Sequence, residues 1–441
     1  MATLGGKYLI ERPIQVADDG IVSIGDAATV VWGLKSIGIG SSINSPMGDE
    51  QCVLVGSDLT LRGNTVVADV LMGRTLWVGQ QSSSCVLIGD ISSIDHNTDI
   101  AIAIGREATI GNNSTGSIVM GYLCTVANNS PNCTLVGQSN AVLTASQQYV
   151  ALYGYSNTVF GSSPNGSRTE KIAVLGSLNT VGTASNNSHH IAVVGSDNVI
   201  GDNPSYIYVY GSGNTISAGL AHVLVSGDAN SVVVSTATMG VGLAVYGTSN
   251  TVTNMDVSSI IGQNNTVNGG TYCDTLVVIG YGNTVTNDGT NSSRAGTIVI
   301  GGSNVLPAGG GTIIAIGNGI SAVVGNSDSG GILIGLDTAL TATTATGIAI
   351  GDYASAGNNQ CVIGCCSPDG YPFKSIHQFI VRGLDISGNA AIDTINVIDT
   401  PAAGSSGLTV VYNTSGTFTN KTLKAALAPP AGSLLAYFDP A

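Results

Sequence analysis

The chain has 441 residues, of which only 9% are charged, against an ordinary share of about 25%. Gly supplies 61 residues, apolar residues 43% and aromatics 5%, a balance that favours many thin strand layers over one bulky core. The net charge of −14 reflects a scarcity of Lys and Arg, 13 in all, and these do not cluster as phosphate neutralisation requires, so nucleic acid is excluded as an expected partner.

Residues 1–20 (MATLGGKYLIERPIQVADDG) form a first segment with no apolar core behind a basic stretch, so no secretory signal is expected. No stretch of the chain is long and apolar enough to span a bilayer as a helix, and no membrane insertion is expected. Lys7 to Asp19 either cap the rest of the chain or attach it to another protein.

From residue 21 to residue 366 a short apolar run ending in Gly recurs about twenty times. Early copies end at Gly25, Gly40, Gly56 and Gly89. Gly105, Gly121, Gly137, Gly154, Gly176, Gly195, Gly211, Gly227, Gly247, Gly262 and Gly280 continue the series, which runs through Gly301, Gly317, Gly335 and Gly351 to Gly364. Three residues after this Gly, ten consecutive units carry Asn: Asn140, Asn157, Asn179, Asn198, Asn214, Asn230, Asn250, Asn265, Asn283 and Asn304. Units without it place the small residues Ala108, Cys124 or Ala354 there. Five residues after the Gly stands an aliphatic residue such as Val142, Val159, Val181 or Ile200, and extra residues fall after that position.

Such a unit predicts one coil of an all-β parallel β-helix or β-roll, with a constant coil and one variable loop. Gly suits a corner between two strands, because it accepts positive φ and close backbone approach. A column of Asn passes amide hydrogen bonds from coil to coil. The aliphatic position alternates with polar neighbours and points inward. About twenty coils at the spacing of strands give a shaft of roughly 100 Å.

The strands before Gly differ, being apolar on both faces: IAIAI at 100–104, LVVI at 276–279, TIIAI at 312–316 and ILI at 332–334. A strand apolar on both faces is covered on both. One face lines the coil, and the other needs a partner that no predicted helix supplies, which predicts a homotrimer of coils packed about an axis. A monomer whose terminal segments cover the stripe is the alternative.

Residues 367–441 leave the repeat. They hold Phe373, Phe379, Phe418 and Phe438, with Lys374, Arg382, Lys421 and Lys424. A strand-like run at 379–386, a hairpin from Leu408 through Tyr412 and Asn413 to Phe418, and a short helix capped by Asn420 and stopped by Pro429 are predicted. This small β-rich module is expected to cap the edge of the coil, register the trimer or bind a receptor.

Units such as AIAIGREATI at 101–110 and SIVMGYLCTV at 117–126 resemble the head repeats of trimeric autotransporter adhesins. The resemblance covers about 340 residues and implies a trimeric, left-handed parallel β-roll. Heptads for a stalk and an amphipathic barrel segment for an anchor are missing, so the chain resembles a phage tail fibre or head fibre more closely. That resemblance implies a structural protein of the virion, made in the host cytoplasm. One terminus would join other virion proteins, and the fibre would mediate attachment to a host cell-surface glycan or protein. A bacterial surface adhesin and a glycan-degrading tailspike are the alternatives.

Candidate chemistry is sparse. Cys52, Cys85 and Cys133 each stand four residues before a repeat Gly, in a slot otherwise held by aliphatic residues, and read as strand residues too far apart for disulfides. Cys361, Cys365 and Cys366 cluster without the His or paired spacing of a zinc site. His189 and His190 fall in a variable loop, SNNSHH, where solvated side chains are expected and an axial metal in a trimer is the alternative. Only four Glu are present, Glu11, Glu50, Glu107 and Glu170, and none pairs with Asp at matching slots as glycoside hydrolysis requires. The expectation is a non-enzymatic protein without metal or cofactor.

Overall fold

The computed structural model describes residues 14–16, 20–25, 29–31, 35–45, 50–62, 67–143, 147–160, 169–182, 189–233, 241–254, 257–268, 276–286, 296–306, 312–322, 330–340, 347–356, 361–363, 408–413, 418–425 and 436–437. Two compact units divide the chain, Met1–Ser375 and Ile376–Ala441.

The first unit is a parallel β-solenoid. From Val86 to Ala356 about 16 turns each pair one longer strand with one short strand, as Ile102–Arg106 is followed by Thr109–Ile110. Ahead of them the nine-residue strands Ile37–Ser45, Val53–Leu61 and Val70–Val78 run both halves together. Each strand pairs with its counterpart in the next turn, and the repeat Gly stays in register: Gly105 opposes Gly121, which opposes Gly137. Turns of unequal length keep that register, as Gly154 opposes Gly176 and Gly280 opposes Gly301. Added residues therefore fall between register points without disturbing the ladder.

Alternation builds the core. Two residues before each Gly an aliphatic side chain points inward, as Leu135, Leu152, Val174 and Val193 do, all fully buried. The aliphatic residue five after Gly meets it from the short strand, with Ile110, Val126, Val142 and Val159 at zero exposure. Sequence periodicity predicts the column five after Gly, which lies inside, and the structure assigns the inward face of the strand before Gly to the position two before it.

The repeat Gly itself has a different place from the predicted corner. From Gly40 to Gly335 its φ lies between +120° and +149°, within a continuous strand. The corner comes two residues later, at Glu107, Leu123 or Ser139, each in the left-handed region. Residues other than Gly occupy that corner at the modest cost of a left-handed φ, whereas the Gly position is closed to any side chain. A Cβ on Gly105 would collide with the carbonyl oxygen of Gly121, and the same collision recurs at each turn.

That carbonyl points into the coil, where Asn meets it. The Nδ2 of Asn179 donates to the Gly195 carbonyl at 2.8 Å and to Asn157 Oδ1 at 2.9 Å. Its own Oδ1 accepts the backbone N–H of Asn198 at 3.1 Å and the Nδ2 of Asn198 at 2.9 Å. Both donors and both acceptor sites of a buried amide are thus used. The pattern repeats to Asn304, whose Oδ1 accepts the N–H of Ile320. Elsewhere Ser92, Cys124 and Thr338 donate to the carbonyls of Gly105, Gly137 and Gly351. The slot is not restricted to small residues when Asn is absent, because Ile43, Leu59, Leu76 and Ile320 fill it with buried aliphatic bulk. A second buried ladder, at Ser82, Thr98, Ser114 and Ser130, serves another corner: each hydroxyl in turn accepts the N–H of the next, as Thr98 N–H donates to Ser82 Oγ at 3.1 Å.

At the start of the solenoid Ile14–Val16 pairs antiparallel with Val22–Gly25, placing a strand on the first coil. Cys361–Ile363 is the last described strand of the parallel ladder. In the second unit Leu408–Asn413 pairs antiparallel with Phe418–Ala425, and Lys424 opposes Tyr437. The predicted helix from Asn420 is therefore a strand through Ala425, favoured by the β-branched Thr419 and Thr422 and by cross-strand pairing. The run at 379–386 lies outside the described residues.

Two substitutions measure these constraints. Gly176→Ala, which forces a Cβ onto the Gly195 carbonyl at a φ of +129°, is expected to destabilise by more than about 3 kcal/mol. Gly219→Ala, with open space around its Cβ at a φ of +75°, is expected to cost about 1 kcal/mol. Thermal melting of the two variants beside the parent checks the difference. Asn214→Leu strands the Gly227 carbonyl and the backbone N–H of Asn230 and is expected to cost about 2–4 kcal/mol in denaturant unfolding.

Candidate functional surface

The strand before each Gly has an outward face, built from the residues one and three before Gly. In the turn ending at Gly105, Ala101 and Ala103 are buried while Ile102 and Ile104 face out and are half-buried. Ile314 and Ile316, and Ile332 and Ile334, take the same outward positions. The two-sided apolar runs thus resolve into one face inside the coil and one outside it. Ten of the outward residues directly before Gly, Ile39 and Met72 through Tyr210 to Ile316, are between 37% and 45% exposed. From Ile37 to Ile350 neither outward column carries a charged residue. Because strands stack in register, these side chains form a continuous apolar stripe.

Charge is confined to other columns. One residue after Gly, Arg74 forms a bidentate ion pair with Asp90 at 2.8 and 2.9 Å. Hydrogen bonds from Arg74 hold the Asp90 carboxyl below its ordinary range, and the charges of Arg74 and Arg106 add to the effect. Arg106 in turn lies 5.5 Å from the Tyr122 ring. Nearby, the Arg62 guanidinium lies 4.5 Å from the ring of Trp77.

A further column sits five residues before Gly, where the chain turns into the outward strand. Over five successive turns it carries Tyr149, Lys171, His190, Tyr206 and His222, each with φ between +54° and +58°. The rings of His190 and Tyr206 stack at 4.7 Å with 8° between planes, and those of Tyr206 and His222 at 4.7 Å with 4°. Lys171 Nζ lies 3.2 Å from His190 Nε2. His189 and His190 therefore begin a strand, His189–Ser196, rather than ending a solvated loop, because parallel pairing of His189 with Glu170 and Ser205 extends the sheet to them.

The other sequence-selected residues take structural places. The repeat Gly and Asn residues form the two stacked columns of the coil interior described above. Cys52, Cys85 and Cys133 are buried in one column four before Gly, and Cys124 occupies the Asn slot. Cys361 lies on the last strand of the solenoid, while Cys365 and Cys366 lie outside the described residues. Among the described residues no three His, Cys, Asp or Glu side chains gather as a metal site would need. Glu107 pairs with Arg106 at 3.2 Å, Glu50 bridges Val67 through its backbone, and Glu11 lies outside the described residues. Among the described residues no helix is long and apolar enough to cross a membrane.

No protein-family model matches the chain, and no curated protein matches it in sequence.

The cysteines give a direct test of the coil interior. Burial pushes the thiols of Cys85 and Cys133 up to about 12, with the charge of Asp69 adding to the effect at Cys85. The thiolate that reacts is therefore suppressed. In the native protein at pH 8 both are expected to resist iodoacetamide over hours and to be alkylated within minutes once unfolded. Peptide mass spectrometry reads the two states.

Proposed function

We propose that the chain is a non-enzymatic structural fibre of a virion, a homotrimer of solenoids that projects from the particle and attaches it to a host cell-surface glycan. The observation that carries this reading is the uncharged apolar stripe along the outside of the coil. A monomer seldom exposes a contiguous apolar patch beyond about 300–600 Å². A stripe repeated at every rung is instead suited to another copy of itself, since parallel copies bring each rung against its equivalent. Cyclic packing about an axis parallel to the solenoid turns one such face of every copy inward. Three copies follow the resemblance to trimeric adhesin heads, and the virion setting follows the resemblance to phage fibres.

Rigidity supports the same use. Backbone ladders run along the turns and a buried amide column joins Asn140 to Asn304, so the solenoid resists bending and can hold a contact surface at a distance. The variable segments between coils, rich in Asn, Ser and Thr, supply hydrogen-bonding groups that suit a saccharide without any catalytic pair.

Native mass spectrometry of the full chain tests the assembly. The expected mass is three times the chain mass of 44.2 kDa. Replacing outward residues by charge, as in the double variant Ile104→Lys with Ile316→Lys, is expected to abolish the trimer while leaving the strand signal in circular dichroism. A wild-type monomer, or a charged variant with an unchanged trimeric mass, contradicts the reading.

A further inference from the structure

The column five before Gly changes character abruptly. In earlier turns it holds Lys35, Gln51, Ala68, Ser84, Ile100, Gly116 and Asn132, none of them aromatic, and after the five large residues it returns to Gly242 and Val257. Among the described residues, only from Tyr149 to His222 does it carry a run of rings. Tyr149 is 55% exposed, and Tyr206, Lys171 and His222 are exposed as well. A run of exposed rings has no part in the interior, and one corner separates it from the apolar stripe.

The backbone changes at the same turns. The strands Gln147–Tyr155, Thr169–Ser177, His189–Ser196, Ser205–Ser212, Ala221–Asp228 and Val241–Thr248 contain eight or nine residues. Their neighbours Thr134–Gln138 and Ser258–Gln263 contain five and six. The added length is N-terminal, through the corner itself: Gln147 opposes Thr169, His189 opposes Ser205, and Ser205 opposes Ala221. Sheet pairing therefore backs the aromatic corner on both sides in these turns.

We infer that this corner, from Tyr149 to His222, is a saccharide-binding platform, the contact site of the attachment function on whose reading it rests. Stacking at near-parallel angles fixes the ring orientations before any ligand arrives, which lowers the ordering cost of binding. Tyr and His rings combine an apolar body with a polar edge, and such side chains match the alternating C–H and hydroxyl surface of a sugar. The three stacked rings lie in a row over successive turns, with the Lys171 ammonium between Tyr149 and His190, so the platform suits an extended oligosaccharide lying along the rungs. In each turn the corner lies two residues ahead of the first outward residue of the apolar stripe.

The test uses the full-length protein on an array of immobilised oligosaccharides built from neutral hexoses, N-acetylhexosamines and uronic acids. Wild type is expected to bind at least one class. Tyr206→Ala, which breaks the stack, is expected to weaken that binding on the order of tenfold. The double variant His190→Ala with His222→Ala is expected to do the same, while Tyr281→Ala, an exposed ring off the platform, leaves it unchanged. Native mass and melting of each variant, measured beside binding, separate loss of the site from loss of the fold. Binding that survives both platform changes overturns the site, and so does a trimer that binds no saccharide class. Neither result touches the assembled fibre, which is tested separately by the native mass of wild type and of the charged stripe variant.

Discussion

One inward carbonyl decides most of this structure. At each repeat Gly the backbone adopts a φ that brings successive turns so close that no side chain fits between them, and it directs a carbonyl oxygen into the coil. A buried carbonyl left without a donor costs free energy comparable to a lost hydrogen bond. Asn answers it turn after turn, since a single amide reaches the Gly carbonyl ahead and the Asn oxygen behind, as Asn198 does with Gly211 and Asn179. Where Asn is missing, Ser92 and Thr338 donate from shorter side chains. From Asn140 to Asn304 that requirement accounts for the spacing of Gly and Asn, while the register also holds where Ile43, Leu59 and Leu76 fill the slot and so follows from the close approach at Gly.

The interior is self-sufficient and the exterior is not. Inside, aliphatic columns close around a ladder of satisfied amides. Outside, the strand that supplies half of that core turns an equally apolar face to the surroundings. The two faces alternate within the same five or six residues, so apolar packing inside the coil and an apolar stripe outside it are properties of one strand. This is why the proposed self-association is tied to the fold, and why the polar and aromatic groups proposed to contact a ligand sit at corners and not on the flat of the strand.

Much of this is legible in the sequence because certain slots tolerate few residue types. Gly at one position and Asn three later mark each turn directly, and Val142, Val159 and Val181 mark the core. The role of Gly is less legible, since a corner and a close-packed strand both favour it, and only the backbone distinguishes them. The hydroxyl ladder at Ser82, Thr98, Ser114 and Ser130 lasts few turns and uses common residues, which leaves little signal. The aromatic corner is hidden by loop length: Tyr149, Lys171, His190 and Tyr206 are unevenly spaced along the chain. Counting back five from each Gly would have aligned them, because register is set at Gly and not by residue number. Local preference misleads at Asn420, where a helix-cap residue lies in a strand that long-range pairing stabilises.

Small-angle X-ray scattering of the purified protein tests the central claim most directly, because it yields mass per unit length of a rod. A single solenoid advances roughly 4.8 Å per turn, the spacing of neighbouring strands. The account predicts the mass of three turns over each such interval, with a cross-section too wide for one coil. A rod carrying the mass of one turn per interval would contradict it, since the apolar stripe would then be covered by something other than copies of this chain.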